Sequence, residues 1–211
     1  MKLTMVMQSY LYDYQGGASN RVNKFHRALA GFAGQSESSN NIELIVISHG
    51  CPITKAQYRN FVEMHKPKNF SYFEVERNSQ FEGSPRDIGI ENAKGEYISY
   101  LDSDDMLVVD YCEKLIDAIE FWKNPKWLYF NDFIRTNTGA SERKIKMEQG
   151  RIGTSNLCHR KDLFPNVRWS ELDGYGHDWG FILRLKKFGG DGVRVPSKGY
   201  VVCHIPFKMD Y

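Results

Sequence analysis

Four consecutive residues, Asp102-Ser103-Asp104-Asp105, form the densest acidic cluster in the chain. Carboxylates two positions apart on a turn after a strand can face one hard cation, of the kind that takes oxygen ligands and shares them with phosphates. Such a cation can take up charge from a departing diphosphate. The same spacing also fits a solvated turn leading into a helix, where Asp is favoured without any ligand. Arg86, sixteen residues upstream at the start of a helical segment, has the planar fork that suits bidentate contact with phosphate or a base. A surface ion pair with Asp87 or Glu91 is the plainer reading of the same arginine. Arg143, Lys144, Lys146, Arg151, Arg160 and Lys161 give a later stretch a positive bias. That bias fits an anionic acceptor, nucleic-acid phosphate included, or a solvated face.

The elements that must position these groups follow from pattern. Residues 3–7 and 42–48 are strand-length and largely apolar, and 42–48 is rich in β-branched residues, as a strand covered on both faces should be. Residues 21–32 carry Val22, Phe25, Leu29 and Phe32 at helical spacing. Residues 54–65 read as a helix, 70–76 as a strand, and 85–94 as a helix with Pro85 in its first turn and Gly95 as its stop. Residues 96–101 are a further strand that runs straight into Asp102. The alternation predicts a mostly parallel sheet with helices on both faces, and ligands in such sheets bind at the carboxyl ends of the strands.

The second half reads differently. Residues 108–123 form an amphipathic helix, 127–136 a strand, 137–139 a turn, and 141–147 a returning antiparallel partner. Residues 176–188 are helical, and 192–195 and 200–204 are short strands. Residues 34–41 read as a loop, and no linker divides the chain into domains.

Composition narrows the class. The chain has 211 residues, with 28 Lys and Arg against 26 Asp and Glu. That balance excludes an acidic tail protein and a histone-like one. The four cysteines show no C-x-x-C pair, which argues against structural zinc and fits thiols in a reducing compartment. No apolar run approaches the roughly 20 residues of a spanning helix, and the first residues do not resemble a signal peptide, so a cytoplasmic location is expected. Neither G-x-x-x-x-G-K nor G-x-G-x-x-G occurs.

The stretch Arg86-Asp87-Ile88-Gly89, Ala93-Lys94-Gly95, then a strand and Asp102-Ser103-Asp104 closely resembles the inverting family 2 glycosyltransferases of the GT-A fold. Their pattern here is Arg-Asn-x-Gly, Ala-x-Gly, strand, Asp-x-Asp, and Asp87 stands in place of the Asn. The resemblance runs from about residue 3 to residue 206. It implies an α/β fold with a single domain over 1–211: a Rossmann-like, mostly parallel sheet, and a small antiparallel sheet on the acceptor side. Residues 1–105 would bind the nucleotide-sugar and 106–211 the acceptor.

The same resemblance assigns roles. Ser9, Tyr10, Ser48, Arg86, Asp102, Ser103 and Asp104 would bind the donor, with Ser48 and His49 where the family has two aspartates. Asp102, Asp104 and His204 would hold Mn²⁺ or Mg²⁺; a lone histidine on a late strand is equally read as packing. Gly176-His177-Asp178-Trp179 resembles the family's Glu-Asp-Trp motif with His177 replacing Glu. Inversion at the anomeric carbon is one in-line displacement, needing one base on the face opposite the leaving group. The resemblance makes Asp178 that base; otherwise it would cap a helix. Thr154 and Ser155, with His177 and Trp179, would line the acceptor pocket. Saccharide, lipid-linked and modified-DNA acceptors all stay open. Two other classes compete. A nucleotidyltransferase acting on a sugar phosphate would need a Gly-rich basic loop after the first strand, and residues 9–20 hold only Gly16-Gly17. A nucleotide-sugar-binding protein with a degenerate site is motivated by Ser48, His49 and His177.

Overall fold

The computed structural model describes residues 1–36, 40–77, 83–169 and 177–211. Strand β1 (Leu3–Ser9) lies at the centre of a seven-stranded sheet, between β2 (Ile42–His49) and β4 (Tyr97–Tyr100), and β3 (Phe70–Val75) forms one edge. These four strands are parallel, with Val6 opposite Ile45 on one side and Tyr100 on the other. Their alternation explains the largely apolar sequence of β1 and β2. Leu3, Met5, Met7, Leu44 and Val46 pack with Phe25, Leu29 and Phe32 of helix α1 (Arg21–Ser36) and with Leu115 and Ile119 of α4 (Tyr111–Phe121). Val6, Ile45, Ile47, Ile98 and Tyr100 point the other way, to Ile90 of α3 (Ser84–Asn92) and to Phe181, Ile182 and Leu185 of α5 (His177–Gly189). With period-2 side chains, a strand apolar at every position must be covered on both faces. Helix α2 (Pro52–His65) completes the first half, starting two residues earlier than the sequence reading had it, with Pro52 in its first turn.

The glycines of the motif act through space. A Cβ on Gly89 would fall 2.6 Å from Val6 Cγ1, so its hydrogen lets α3 lie down on β1. Gly95 is not the helix stop expected from sequence. Helix α3 ends at Asn92 with Ala93 extended, and a Cβ on Gly95 would sit 2.6 Å from Thr4 N, against β1.

The second half departs from the reading at two places. Residues 127–136 are not one strand. They break at Asn131 into β6 (Trp127–Phe130), in the main sheet, and β7 (Asp132–Thr136), which pairs with β8 (Gly139–Arg143) across the expected turn. And β9 (Leu157–Arg160), unread in the sequence, threads antiparallel between β4 and β6. Beyond β6 the edge strand is β10 (Val193–Val195), parallel to it. The second sheet runs β5 (Met106–Leu107), β11 (Tyr200–Val202), β7, β8 and is antiparallel except where β11 meets β7. A last hairpin, β12 (His204–Ile205) with β13 (Met209–Asp210), closes the described chain. Gly176 and residues 37–39 of the expected loop lie outside the described residues. No helix among the described residues is long and apolar enough to cross a membrane.

Candidate active site

The carboxyl ends of β1, β2 and β4 open into one cleft of about 830 Å³, walled on its far side by the segment after β8 and by the start of α5. Tyr10, Arg86, Asp102, Ser103, Asp104, Thr154, Ser155, His177, Asp178, Trp179 and His204 all line it. Ser9 and Ser48 do not. Both are buried: Ser9 Oγ meets Thr54 Oγ1 at 3.2 Å, and Ser48 Oγ donates to Cys51 O at 3.0 Å and accepts Cys51 N–H at 3.3 Å. Their hydroxyls hold the turn into α2 and are not available to a donor. At that end of the cleft stand instead Gln8 and His49, with Gln8 Nε2 3.2 Å from His49 Nδ1, and the Tyr10 ring under the Arg77 guanidinium at 3.6 Å.

The acidic turn is anchored from behind. Tyr200 Oη accepts the Asp102 N–H at 2.9 Å and donates to Asp105 Oδ2 at 3.0 Å, while Cys203 N–H donates to Asp105 Oδ1 at 2.7 Å. Asp105 is therefore the structural member of the cluster, and burial first, then Asp104 and Asp102, raise its carboxyl well above the usual range. Asp102 looks outward, with Oδ1 3.6 Å from Arg86 Nη2. Burial pushes its carboxyl up to about 6, with Arg86 pulling down and Asp104 and Asp178 pushing up. Its side chain keeps 39% of its surface open, so solvent softens that burial. Arg27 Nη2 donates to Asp104 O at 2.7 Å, fixing the turn from α1.

The residues present suit a hard cation. Asp102 and Asp104 offer carboxylate oxygens to the cleft, and the carboxylates' mutual repulsion is what a divalent ion relieves. Among the described residues no three His, Cys, Asp or Glu side chains form a complete metal cage. An ion held here would thus draw further oxygens from phosphates and water, as Mg²⁺ and Mn²⁺ do. His204 lines the cleft, but its ring is engaged: Nδ1 lies 3.1 Å from Asp210 Oδ1 and Nε2 2.9 Å from Gly16 O.

Across the cleft, Asp178 stands in the first turn of α5. His177 Nε2 is 3.3 Å from Asp178 Oδ1 and 3.5 Å from Arg86 Nη1. A continuous line, Asp102, Arg86, His177, Asp178, spans the two walls. Gly153 leaves room beside Asp178: a Cβ there would come within 3.0 Å of Oδ2.

Two buried centres went unread in the sequence. Wholly buried Trp169 stacks on Phe181 at 3.9 Å, meets the His177 ring edge-on at 5.5 Å and carries the Arg86 guanidinium at 4.9 Å. Its backbone N–H donates to Asp87 Oδ1 at 2.7 Å, so Asp87 faces the interior. Its Nε1–H donates to Tyr100 Oη at 3.1 Å, and Tyr100 and His159 Nε2 are 2.7 Å apart. His159 Nδ1 lies 3.0 Å from Arg160 O, so a neutral imidazole donating there and accepting from Tyr100 satisfies every contact. Burial holds the His159 pKa down to about 4. The second centre is Asp132, fully buried, which accepts from Arg143 at 2.8 and 2.5 Å, Ser155 Oγ at 3.0 Å and Asn156 Nδ2 at 2.9 Å. One carboxylate thereby sets the wall that presents Thr154 and Ser155. An Asp inside the apolar run 127–136 was the available signal.

The sheet order, the acidic turn at the end of β4 and the facing aspartate on α5 define the GT-A fold of nucleotide-sugar transferases. The sequence matches the model of glycosyl transferase family 2 over residues 18–185, and the chain belongs to that family. It is similar to the poly(ribitol-phosphate) beta-N-acetylglucosaminyltransferase TarP of Staphylococcus aureus (strain N315), 26% identical over 139 residues, which are 65% of this chain and 41% of TarP. Among solved structures, S. aureus TarS 1-349 in complex with UDP-GlcNAc superposes with a TM-score of 0.73 at 16% identity, covering 96% of this chain and 58% of that one. The mannosyltransferase PcManGT from Pyrobaculum calidifontis, in complex with GDP-Man and Mn2+, gives 0.66 at 12% identity, covering 98% and 58%. The chain spans 23% to 41% of the length of the curated relatives it matches.

Proposed function

We propose that this chain moves a sugar from a nucleotide-sugar to an acceptor hydroxyl with inversion, and that Asp178 is the general base. The observation that carries the reading is the line Asp102, Arg86, His177, Asp178 across one cleft, which sets an acidic diphosphate end opposite a single facing carboxylate. Asp102 and Asp104 would hold Mn²⁺ or Mg²⁺. When bound, such an ion offsets negative charge on the leaving diphosphate. Arg86 adds a fixed cation on the same side. Asp178 takes the proton from the acceptor oxygen as that oxygen attacks the anomeric carbon from the far face. Gly153 leaves the acceptor its approach. Residues 1–105 supply the donor wall; residues 106–211 supply the base and the acceptor wall.

Thr154 and Ser155 border the acceptor's position, and Lys144 and Arg151 line the cleft beside them. These cations favour an acceptor that carries negative charge, a preference in keeping with the polyol-phosphate acceptor in TarP's name. UDP-GlcNAc and GDP-Man, the donors held by the two structural neighbours, are the first to test. A thermal-shift screen of the chain against both, with Mn²⁺ and with EDTA, is expected to give a metal-dependent rise with one of them. A rise with one donor and no turnover of it would move the degenerate binding protein ahead, and no rise with either would count against both donors.

A further inference from the structure

We infer that His177 is the proton-receiving partner of Asp178, so that the base of this enzyme is an imidazole–carboxylate pair where the family's motif has two carboxylates. The inference rests on the glycosyl-transfer reading above. A guanidinium N–H only donates and an ionised carboxylate only accepts. His177 Nε2 faces one of each, Arg86 Nη1 at 3.5 Å and Asp178 Oδ1 at 3.3 Å. That nitrogen can serve one of them at a time: with its lone pair it accepts from Arg86, and with a proton it donates to Asp178. The two arrangements differ by a single proton.

Asp178 supplies the complementary half. Its Oδ1 is buried and, among the described residues, makes no hydrogen bond, a costly state for a carboxylate oxygen. A proton shared with His177 Nε2 relieves it. The ring is held for this by Trp169, which meets it edge-on at 5.5 Å and is itself stacked on Phe181. Among the described residues, the charged groups that bear on the imidazole are Asp178 on its own helix, Arg86 from α3 and, through Arg86, Asp102. Behind Trp169 lie Asp87 with Arg168, and Tyr100 with His159.

The step balances as follows. The acceptor oxygen bonds to the anomeric carbon, and the bond from that carbon to the diphosphate oxygen breaks with its electron pair going to the diphosphate. The acceptor proton moves to Asp178 and on to His177 Nε2, giving an imidazolium. Arg86 beside it disfavours that second positive charge, so the proton leaves to water and the pair resets. A glutamate at position 177 would instead add a second negative charge beside Asp178.

The test uses the full chain labelled with ¹⁵N and ¹³C histidine, the His177 ring signal assigned by its loss in His177→Gln. Its titration midpoint is expected to fall by about one pH unit in Asp178→Asn and to rise by a similar amount in Arg86→Gln. A midpoint unmoved in both variants overturns the pairing, and this readout needs no donor. Turnover then tests the relay, as UDP release from UDP-GlcNAc with water as acceptor. His177→Gln is expected to lose the acid limb of the kcat profile with KM little changed, and His177→Glu to recover rate without that limb. A His177→Gln profile identical to wild type overturns the relay. Wild-type turnover in Asp178→Asn would remove Asp178 as the base and overturn the relay with it, whereas no UDP release from the wild-type chain would sink the glycosyl-transfer reading and leave the titration result standing.

Discussion

The two walls of the cleft are built by different means. On the donor wall the functional residues are neighbours in sequence, placed by the end of β4 and pinned by Tyr200 and Arg27. On the base and acceptor wall, residues far apart in sequence meet on two buried side chains, Trp169 and Asp132. A strand end places a turn through backbone hydrogen bonds shared along a sheet. A buried carboxylate or indole places its neighbours alone, and its loss leaves several groups unpaired at once. The donor wall should therefore lose function locally when changed, and the acceptor wall should lose structure.

The largest effect expected is on chemistry. Asp178→Asn should lower turnover by about 10³-fold, within the range for removal of a general base, while nucleotide-sugar affinity holds. Equilibrium dialysis beside a nucleotide-release assay separates the two, and a matching loss of affinity would count against the division between walls. Next, Asp132→Ala should cost about 3 kcal/mol in urea unfolding, because it strands Arg143, Ser155 and Asn156 together. A variant as stable as wild type would show that the acceptor wall does not depend on that carboxylate.

The third prediction concerns acid. His159 has a folded pKa near 4, below the roughly 6.5 of an unfolded histidine. Between those values the unfolded chain binds a proton that the native chain refuses. The stabilising contribution is thus whole above about pH 6.5 and is lost as pH falls towards 4. The shift corresponds to about 3 kcal/mol, read as the difference in pH dependence of unfolding between wild type and His159→Gln. Parallel curves would remove His159 as the acid-sensitive part of this wall. The smallest effect belongs to the donor wall: Asp104→Ala should weaken Mn²⁺-dependent donor binding about tenfold, or about 1.4 kcal/mol, with unfolding unchanged. Unaltered metal dependence, seen by isothermal titration, would break the assignment of that turn.

The same contrast explains what the sequence made legible. The Asp102 cluster, Arg86 and the parallel half of the sheet could be read because their residue types and spacing lie within one strand–turn–helix unit, although the turn's anchors, Tyr200 and Arg27, lie far off in sequence. Asp178 could be read through its motif. Trp169 bonds to partners 82 and 69 positions away, and no local pattern announces that. The four residues of β9 are too few to show a period, and what makes them a strand is the gap between β4 and β6. Ser9 and Ser48 stand at positions the family resemblance gave to the donor, yet Ser9 Oγ turns to Thr54, 45 residues away, and Ser48 Oγ to Cys51.

Strand β9 also bears on the order in which the molecule can be made. On the ribosome β1 to β4 emerge first, but the free side of β4 pairs Tyr97, Ile98 and Ser99 with Arg160, His159 and Cys158. Until some sixty further residues have been synthesised, the nascent chain carries an unpaired apolar strand edge, the kind of surface that recruits chaperones or other nascent chains. A fragment cut after the acidic turn would keep that edge permanently, so the donor half cannot be expected to persist as a separate soluble piece.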